Sequence, residues 1–263
     1  MRMLEANGQS LPWQAAQTKV VVVGDLMLDE YLDGAVNRIS PEAPVPVHKV
    51  VKSDHTAGGA ANVARNIQLV GGQCTVAGVC GQDEAAEQLK GILDRDNVNT
   101  DYIEIDPERP TVRKTRITAN NQQLVRIDWE EVSPIDDRIQ SSILKNLAGQ
   151  AMQALLVSDY GKGCFTKPFL AKIMNLGSEM GIPVIVDPKG NDYSAYEGAT
   201  LITPNYKEAC EALGLDHSKV WDPEQLARQI KSRFLIDNVL VTLGADGMAG
   251  VTADGKFFRL SAV

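Results

Sequence analysis

The chain has 263 residues, 44% hydrophobic and 23% charged, a balance that suits one sizeable α/β domain, or one domain with a small appendage. Its formal charge of −8, with no run of Lys and Arg, argues against nucleic acid and an anionic membrane surface as partners, but leaves room for phosphorylated small molecules, which need only a few placed cations. Four scattered cysteines (Cys74, Cys80, Cys164, Cys210) and three histidines (His48, His55, His217) contain no C-x-x-C pair and no ligand spacing, so neither a disulfide framework nor a zinc site is expected, and reduced thiols in the cytoplasm are.

The opening stretch MRMLEANGQSLPWQAAQ has no apolar core that could serve as a signal peptide. The longest apolar run, near Val20–Val23, is too short to span a bilayer. Lys19–Asp25, KVVVVGD, reads as a buried strand that delivers a carboxylate at its C-terminal end. The same pattern returns at Ala154–Tyr160, Pro183–Lys189, Thr200–Asn205 and Asn238–Gly244. Helix-period sequence or short loops separate these strands, at 137–152, 166–180, 191–198, 206–213 and 223–235. Such alternation predicts right-handed crossovers and a largely parallel sheet with helices on both faces. Ligands then bind beyond the carboxyl ends of the strands, which here carry Asp25, Asp159, Asp187, Asn205 and Thr242. One such residue alone is a helix cap or turn former; five on one edge predict a site.

Ala57–Asn62, AGGAAN, runs into a helix in which Val63, Ile67 and Val70 recur at helical spacing. Gly58 and Gly59 would let the backbone come close to a ligand, and the helix N-terminus suits hydroxyl or phosphate oxygens, with Asn62 aimed at the same place. A Gly-Gly before a helix also serves as a plain turn.

Residues 31–56, rich in Pro and β-branched residues, and residues 100–128, with a turn at Ala119–Asn121, read as antiparallel strands. They predict a small sheet inserted beside the ligand edge as a lid, leaving 18–30, 57–99 and 129–263 as the core. Its exposed face would be covered most simply by a second copy, giving a homodimer through the lid. Arg113, Lys114, Arg116 and Arg126 form the one concentrated basic cluster. It reads either as a solvated strand face or as a source of one or two Arg forks for a substrate phosphate.

The block from Gly58 onward, with Ala60, Asn62, Ala64, Gly71 and Gly81, resembles the first signature of the PfkB (ribokinase-like) carbohydrate kinases. Within that family the stretches GDLMLDEY, RISPEAPVPV, GGAANVARN, NNQQLVRID, SDYGKG, VDPKG and TPNYKE are similar to the heptose 7-phosphate kinases of lipopolysaccharide precursor synthesis. The resemblance implies a three-layer αβα ribokinase-like core with a mostly parallel sheet and a small inserted β-sheet lid. It further implies ATP-dependent phosphorylation, with Mg²⁺, of D-glycero-D-manno-heptose 7-phosphate at C1 to the 1,7-bisphosphate. Asp29, Gly58, Gly59 and Asn62 would then hold sugar hydroxyls, and Arg116, Asp159 and Lys162 would sit by the sugar or its 7-phosphate. Asn205 and Glu208 match the N-x-x-E motif, the Glu ordering the hydration shell of Mg²⁺ and the Asn lying near the nucleotide phosphates. Thr242, Gly244 and Gly247 resemble the loop under the nucleotide, and Lys189 would reach phosphate. Glu208 as a plain first-turn acid and Lys162 as a surface lysine stand as the structural alternatives.

The family's second signature, a G-A-G-D block whose Asp takes the proton of the acceptor hydroxyl and whose amides form an anion hole, has no match in this chain. Asp246 belongs to the earlier nucleotide-side turn. The expectation is therefore the larger N-terminal part of a heptose 7-phosphate kinase, weakly active or inactive in this form, since a missing general base costs about 10²–10⁴-fold. A kinase for another sugar phosphate, and a non-catalytic sugar-phosphate-binding dimer that lost the transfer machinery, are the alternatives.

Overall fold

Four consecutive valines sit at the centre of the molecule. They lie in β1 (Lys19–Gly24), and their side chains alternate between two hydrophobic cores: Val21 and Val23 enter one, Val22 the other. A strand buried on both faces must be apolar at every position, which is why the run does not alternate with polar residues. The computed structural model describes residues 18–262. The opening stretch MRMLEANGQSLPWQAAQ, in which a signal peptide is not expected, lies outside the described residues.

Two long strands follow directly, β2 (Leu26–Ile39) and β3 (Pro46–Gly58), and then α1 (Gly59–Leu69), β4 (Gln73–Cys80), α2 (Glu84–Arg95) and β5 (Asn99–Ile105). The chain continues through β6 (Val112–Ala119), β7 (Gln122–Trp129), α3 (Asp137–Ala148), β8 (Ala154–Ser158), α4 (Lys167–Met180) and β9 (Val184–Asp187). A 3₁₀ turn (Tyr193–Tyr196) leads to β10 (Leu201–Ile202), α5 (Tyr206–Ala212), α6 (Pro223–Phe234), β11 (Asn238–Thr242), β12 (Met248–Val251) and β13 (Phe257–Leu260). The large sheet has the order β13-β12-β11-β10-β9-β8-β1-β4-β5, parallel from β5 to β11 and antiparallel over the last two strands. With helices packed on both faces it is the three-layer α/β architecture expected. The helix starts carry their signals in the sequence. Asp83, Asp136 and Thr166 each accept a backbone N–H from their own first turn, satisfying donors that a helix leaves unpaired.

The order places the topological switch at β1. From there the chain first builds outward through β4 and β5, then returns to lay β8 on the other side. The crevice beyond β1 is thus where an open α/β sheet binds its ligands. It is also where the second sheet takes root, because β2 begins two residues after β1 ends.

That second sheet has the order β3-β2-β6-β7. β2 pairs antiparallel with β3, and β6 with β7, but β2 and β6 run parallel. The expectation of antiparallel strands throughout 100–128 is corrected here: β5, its first strand, pairs in parallel with β4 at the edge of the large sheet. The physical reason is connectivity. The chain must cross the large sheet through β4, α2 and β5 before it can return to the small one, and such a return delivers β6 parallel to β2.

Helix α1 also departs from expectation. Its fully buried residues are Ala60, Ala61 and Ala64, whereas Val63 and Ile67 are partly covered and Val70 is 64% exposed. Small residues face inward because the helix packs tightly over the β1–β2 junction. Gly59 has φ +55, and a Cβ there would collide with the Asp25 carbonyl oxygen; a Cβ on Gly58 would lie 2.5 Å from Asp29 Oδ2. The two glycines serve the packing of β3 and α1 against β2. Replacing Gly59 with Ala should combine left-handed strain with overpacking and lower unfolding free energy by about 2–4 kcal/mol, measured by urea denaturation.

Candidate active site

The carboxyl ends of β11, β10, β9, β8 and β1 form one continuous rim, and the residues expected to act there fall along it in two groups with the loop after β8 between them. Nearest the small sheet stands Asp29 on β2, whose Oδ1 accepts a hydrogen bond from Arg116 Nη1 at 2.5 Å. Arg116 lies on β6 and stacks over the Tyr31 ring at 5.2 Å. Gly58 and Gly59 adjoin Asp29 and Asp25 respectively, and Asn62 lies exposed in the first turn of α1.

The small sheet divides the basic cluster between its faces, since cross-strand partners share a face and neighbours along a strand do not. Lys114 pairs with Asp29 and Asp128, and Arg116 with Tyr31 and Arg126, so these three cations share the face of Asp29. Arg113 points the other way, over the Trp129 ring at 4.8 Å and 3.9 Å from Glu30. It is a structural residue of the far face.

Between the two groups runs the loop after β8, Asp159-Tyr160-Gly161-Lys162-Gly163-Cys164. Its anchor is Asp25, 4% exposed. Asp25 Oδ2 accepts N–H bonds from Tyr160 at 2.7 Å and Lys162 at 3.1 Å, and Oδ1 accepts one from Cys164 at 3.0 Å. Burial pushes the Asp25 carboxyl above the usual range, and these three N–H groups with the Lys162 charge pull it back in part. Asp25 was expected as one of five open polar strand ends; it is instead closed inside the fold. The Lys162 ammonium reaches upward, 2.7 Å from Glu130 Oε1, and Glu130 also lies 3.8 Å from Lys114. Core loop and small sheet therefore meet through one carboxylate.

From Asp159 the chain of contacts passes to the second group. Asp159 Oδ2 accepts from the Tyr196 hydroxyl at 2.7 Å, and that hydroxyl accepts from the Lys189 N–H at 3.2 Å. Lys189 Nζ is 3.1 Å from Glu208 Oε1. Glu208 in turn closes a reciprocal capping box with Asn205: the Glu208 N–H donates to Asn205 Oδ1 at 2.9 Å and the Asn205 N–H to Glu208 Oε2 at 3.1 Å. Asn205 bridges to Thr242 at the end of β11. Gly244 opens a short 3₁₀ turn that Gly247 ends, with the Leu243 N–H donating to the Gly247 carbonyl at 2.8 Å. Glu208 thus has the cap role weighed against a metal role, and the cap presents its carboxylate at the rim.

Three residues complete the arrangement, and to two of them, Tyr196 and Glu130, sequence reasoning assigned no role. Tyr196 is buried in the 3₁₀ turn and carries the link from Asp159 to the second group; nothing in its surroundings marked it. Glu130 follows β7 without a motif. Asp187, at the end of β9, was seen as a strand-end acid only; burial, reinforced by the nearby Glu208 charge, pushes its carboxyl up to about 6. Asp159 is likewise raised, chiefly by burial. A rim where carboxylates crowd is electrostatically prepared for a cation or for the positive ends of hydrogen-bond donors.

The family profile for pfkB family carbohydrate kinases matches residues 17–262, and the chain belongs to that family. Within it the chain is similar to the "Bifunctional protein HldE" of Trichlorobacter lovleyi, at 44% identity over 257 residues, covering 97% of this chain and 52% of that protein. The protein of the same name in Rhodospirillum rubrum is 42% identical over 249 residues, covering 94% of this chain and 50% of that one. The chain therefore spans about half the length of the curated relatives it matches. Among solved structures, the tetrameric inhibited form of phosphofructokinase-2 from Escherichia coli superposes with a TM-score of 0.74 at 19% identity, covering 93% of this chain and 79% of that one. Arabidopsis thaliana ribokinase complexed with ribose and ATP gives 0.68 at 18% identity, covering 94% and 78%. Those two likenesses establish the fold.

Because the Asp187 carboxyl titrates higher in the folded chain than in the unfolded one, ionising it opposes folding. Its contribution to stability is present below the unfolded pKa of roughly 3.9 and is lost as pH rises through about 6. Asp187→Asn should therefore raise the melting midpoint at pH 7.5 and leave it nearly unchanged at pH 4. A thermal scan at the two pH values checks this.

Proposed function

We propose that this chain binds ATP along the Lys189–Thr242 half of the rim and a phosphorylated sugar, D-glycero-D-manno-heptose 7-phosphate, along the half under the small sheet. The observation that carries this reading is the unbroken rim itself. Asp29 with Arg116 stands at one end, Lys189, Glu208 and Asn205 stand towards the other and are linked through Tyr196 to Asp159, whose loop follows β8 between β1 and β9. The high identity to the bifunctional relatives over nearly the whole chain supports the choice of sugar.

In this reading the Asp29 carboxylate accepts from sugar hydroxyls, and its hydrogen bond from Arg116 keeps it oriented. Lys162, Lys114 and Arg116 supply positive charge for the substrate's own phosphate. The γ-phosphorus bond to the ADP oxygen breaks as the bond to the C1 oxygen of the sugar forms, so the protein's work is alignment and charge neutralisation. Lys189, already close to Glu208, is free to exchange that exposed ion pair for a phosphate oxygen, because such a pair contributes little stability. The donor set fits magnesium: Glu208 with Asp187 nearby offers the one or two carboxylates that a largely hydrated Mg²⁺ takes beside nucleotide phosphates. When bound, the ion would neutralise charge on the transferring group. The small sheet would act as the lid that excludes water.

The 263 residues contain no G-A-G-D block, so this chain by itself lacks the family's acceptor for the hydroxyl proton and is inferred to turn over slowly. An ADP-release assay with heptose 7-phosphate tests the reading. The expected outcome is detectable binding of both substrates, slow transfer by this chain, and transfer faster by about 10² or more in a version extended through a G-A-G-D segment. Lys162→Met should weaken sugar-phosphate binding about tenfold or more while leaving ATP binding near its original value, as loss of a charge-assisted hydrogen bond predicts. Binding of sugar phosphate with no nucleotide binding at all would replace the kinase reading with a non-catalytic one.

The small sheet also supports a homodimer. Val125, Ile127 and Trp129 are 46%, 40% and 50% exposed on its far face, beside Ile117 and Arg113 in register. An apolar strand left at a sheet edge needs cover, and a second copy of the same face supplies it. Ile127→Glu is expected to shift the species seen by sedimentation velocity from dimer to monomer; a wild-type monomer at tens of micromolar would remove the proposal.

A further inference from the structure

The loop Ser158-Asp159-Tyr160-Gly161-Lys162-Gly163-Cys164 has the composition of a phosphate cradle, with two glycines, a lysine and closely spaced amides. Gly161 and Gly163 both have positive φ, at +65 and +93, and the amides of residues 160, 162 and 164 turn to one side. Such an arrangement is a nest, a concavity of backbone N–H groups that binds an anion. Here the anion is part of the protein. The Asp25 carboxylate fills the nest, with three N–H···O distances between 2.7 and 3.1 Å.

Two consequences follow. The loop's amides at 160, 162 and 164 are already taken, so a phosphate at this loop is not met by those three donors. The loop's shape is also set from within by a residue that approaches no ligand, because Asp25 is 4% exposed. The same residue ties down the first turn of α1, whose Ala60 N–H donates to the Asp25 carbonyl at 3.0 Å, and its own N–H donates to Ser158 at 3.2 Å. One residue at the end of β1 thereby fixes, relative to each other, the loop bearing Asp159 and Lys162 and the helix start bearing Asn62.

We propose that Asp25 is the positioning residue of the sugar-phosphate site, holding Asp159 and Lys162 in register with Asn62 through its filled nest while touching no substrate itself. This rests on the sugar-phosphate reading given above and adds a residue to which that reading assigns no contact. Asparagine at position 25 would keep the shape but present N–H groups from one end of its amide, so it cannot accept all three bonds.

The test compares the full chain with its Asp25→Asn variant by calorimetry, using heptose 7-phosphate and ATP separately, and measures amide exchange in the wild type. The variant is expected to bind the sugar phosphate at least about tenfold more weakly, with ATP affinity within about twofold. A residue that only supported the fold would lower both affinities together. In the wild type, the amides of Tyr160, Lys162 and Cys164 are expected to exchange as slowly as those of β1, despite lying in a loop. A folded variant with unchanged sugar affinity, or wild-type amides exchanging at open-loop rates, overturns the proposal. Should the variant not fold, the exchange rates decide alone. Wild-type chain that fails to bind the sugar while protecting these amides defeats the substrate assignment, and with it the positioning role; protected amides together with the selective loss support both.

Discussion

A buried carboxylate that cannot reach water must be compensated where it stands, and at the end of β1 that requirement organises the molecule. Asp25 is compensated by three backbone amides from a segment more than 130 positions away in sequence. Leaving such a group without them would cost several kcal/mol, so these three bonds tie the loop after β8 to the end of β1. Because the loop bears Asp159 and Lys162, the geometry of the rim descends from this one contact. Ser158, Asp187 and the first turn of α1 are drawn to the same place by backbone hydrogen bonds.

The position of that contact follows from topology. β1 is where the sheet changes its direction of growth, and the crevice beyond it opens because neighbouring connections depart to opposite sides. The small sheet rises from this crevice, since β2 leaves β1 with one residue between them. It brings Asp29 and Arg116 to within reach of the core loop, and Glu130 joins the two units by pairing with Lys162 and approaching Lys114. Along the rest of the rim, the Asp159–Tyr196–Lys189–Glu208–Asn205 chain links strand ends that share no segment of sequence. Burial, with neighbouring carboxylates adding to it, raises the Asp159 and Asp187 carboxyls, which suits a rim that receives cations and hydrogen-bond donors.

The two faces of the small sheet show how far local pattern carries an inference. Strand alternation separates Lys114 and Arg116 from Arg113, and that much is contained in residue parity. Which parity faces the rim depends on pairing with β2, and β2 pairs in parallel with β6 only because of the intervening β4–α2–β5 excursion. Likewise α1 shows a helical period in Val63, Ile67 and Val70, yet its closest contacts are made by Ala60, Ala61 and Ala64. Apolar size marks a candidate core face, whereas distance between elements determines which residues fit, and a tight crossing favours alanine and glycine.

Sequence alone determined the parallel sheet, its polar strand ends and the family, because these depend on residue type at short spacing. Periodicity and β-branching act within a few residues, and a signature such as Gly58-Gly59-x-x-Asn62 is itself local. Tertiary structure decided that β5 joins the large sheet, that Asp25 is enclosed rather than open, and that Tyr196 and Glu130 connect the site. Those facts depend on contacts between segments far apart along the chain. Hydrogen-bond satisfaction of buried groups selects such partners only once the sheets have assembled and excluded water.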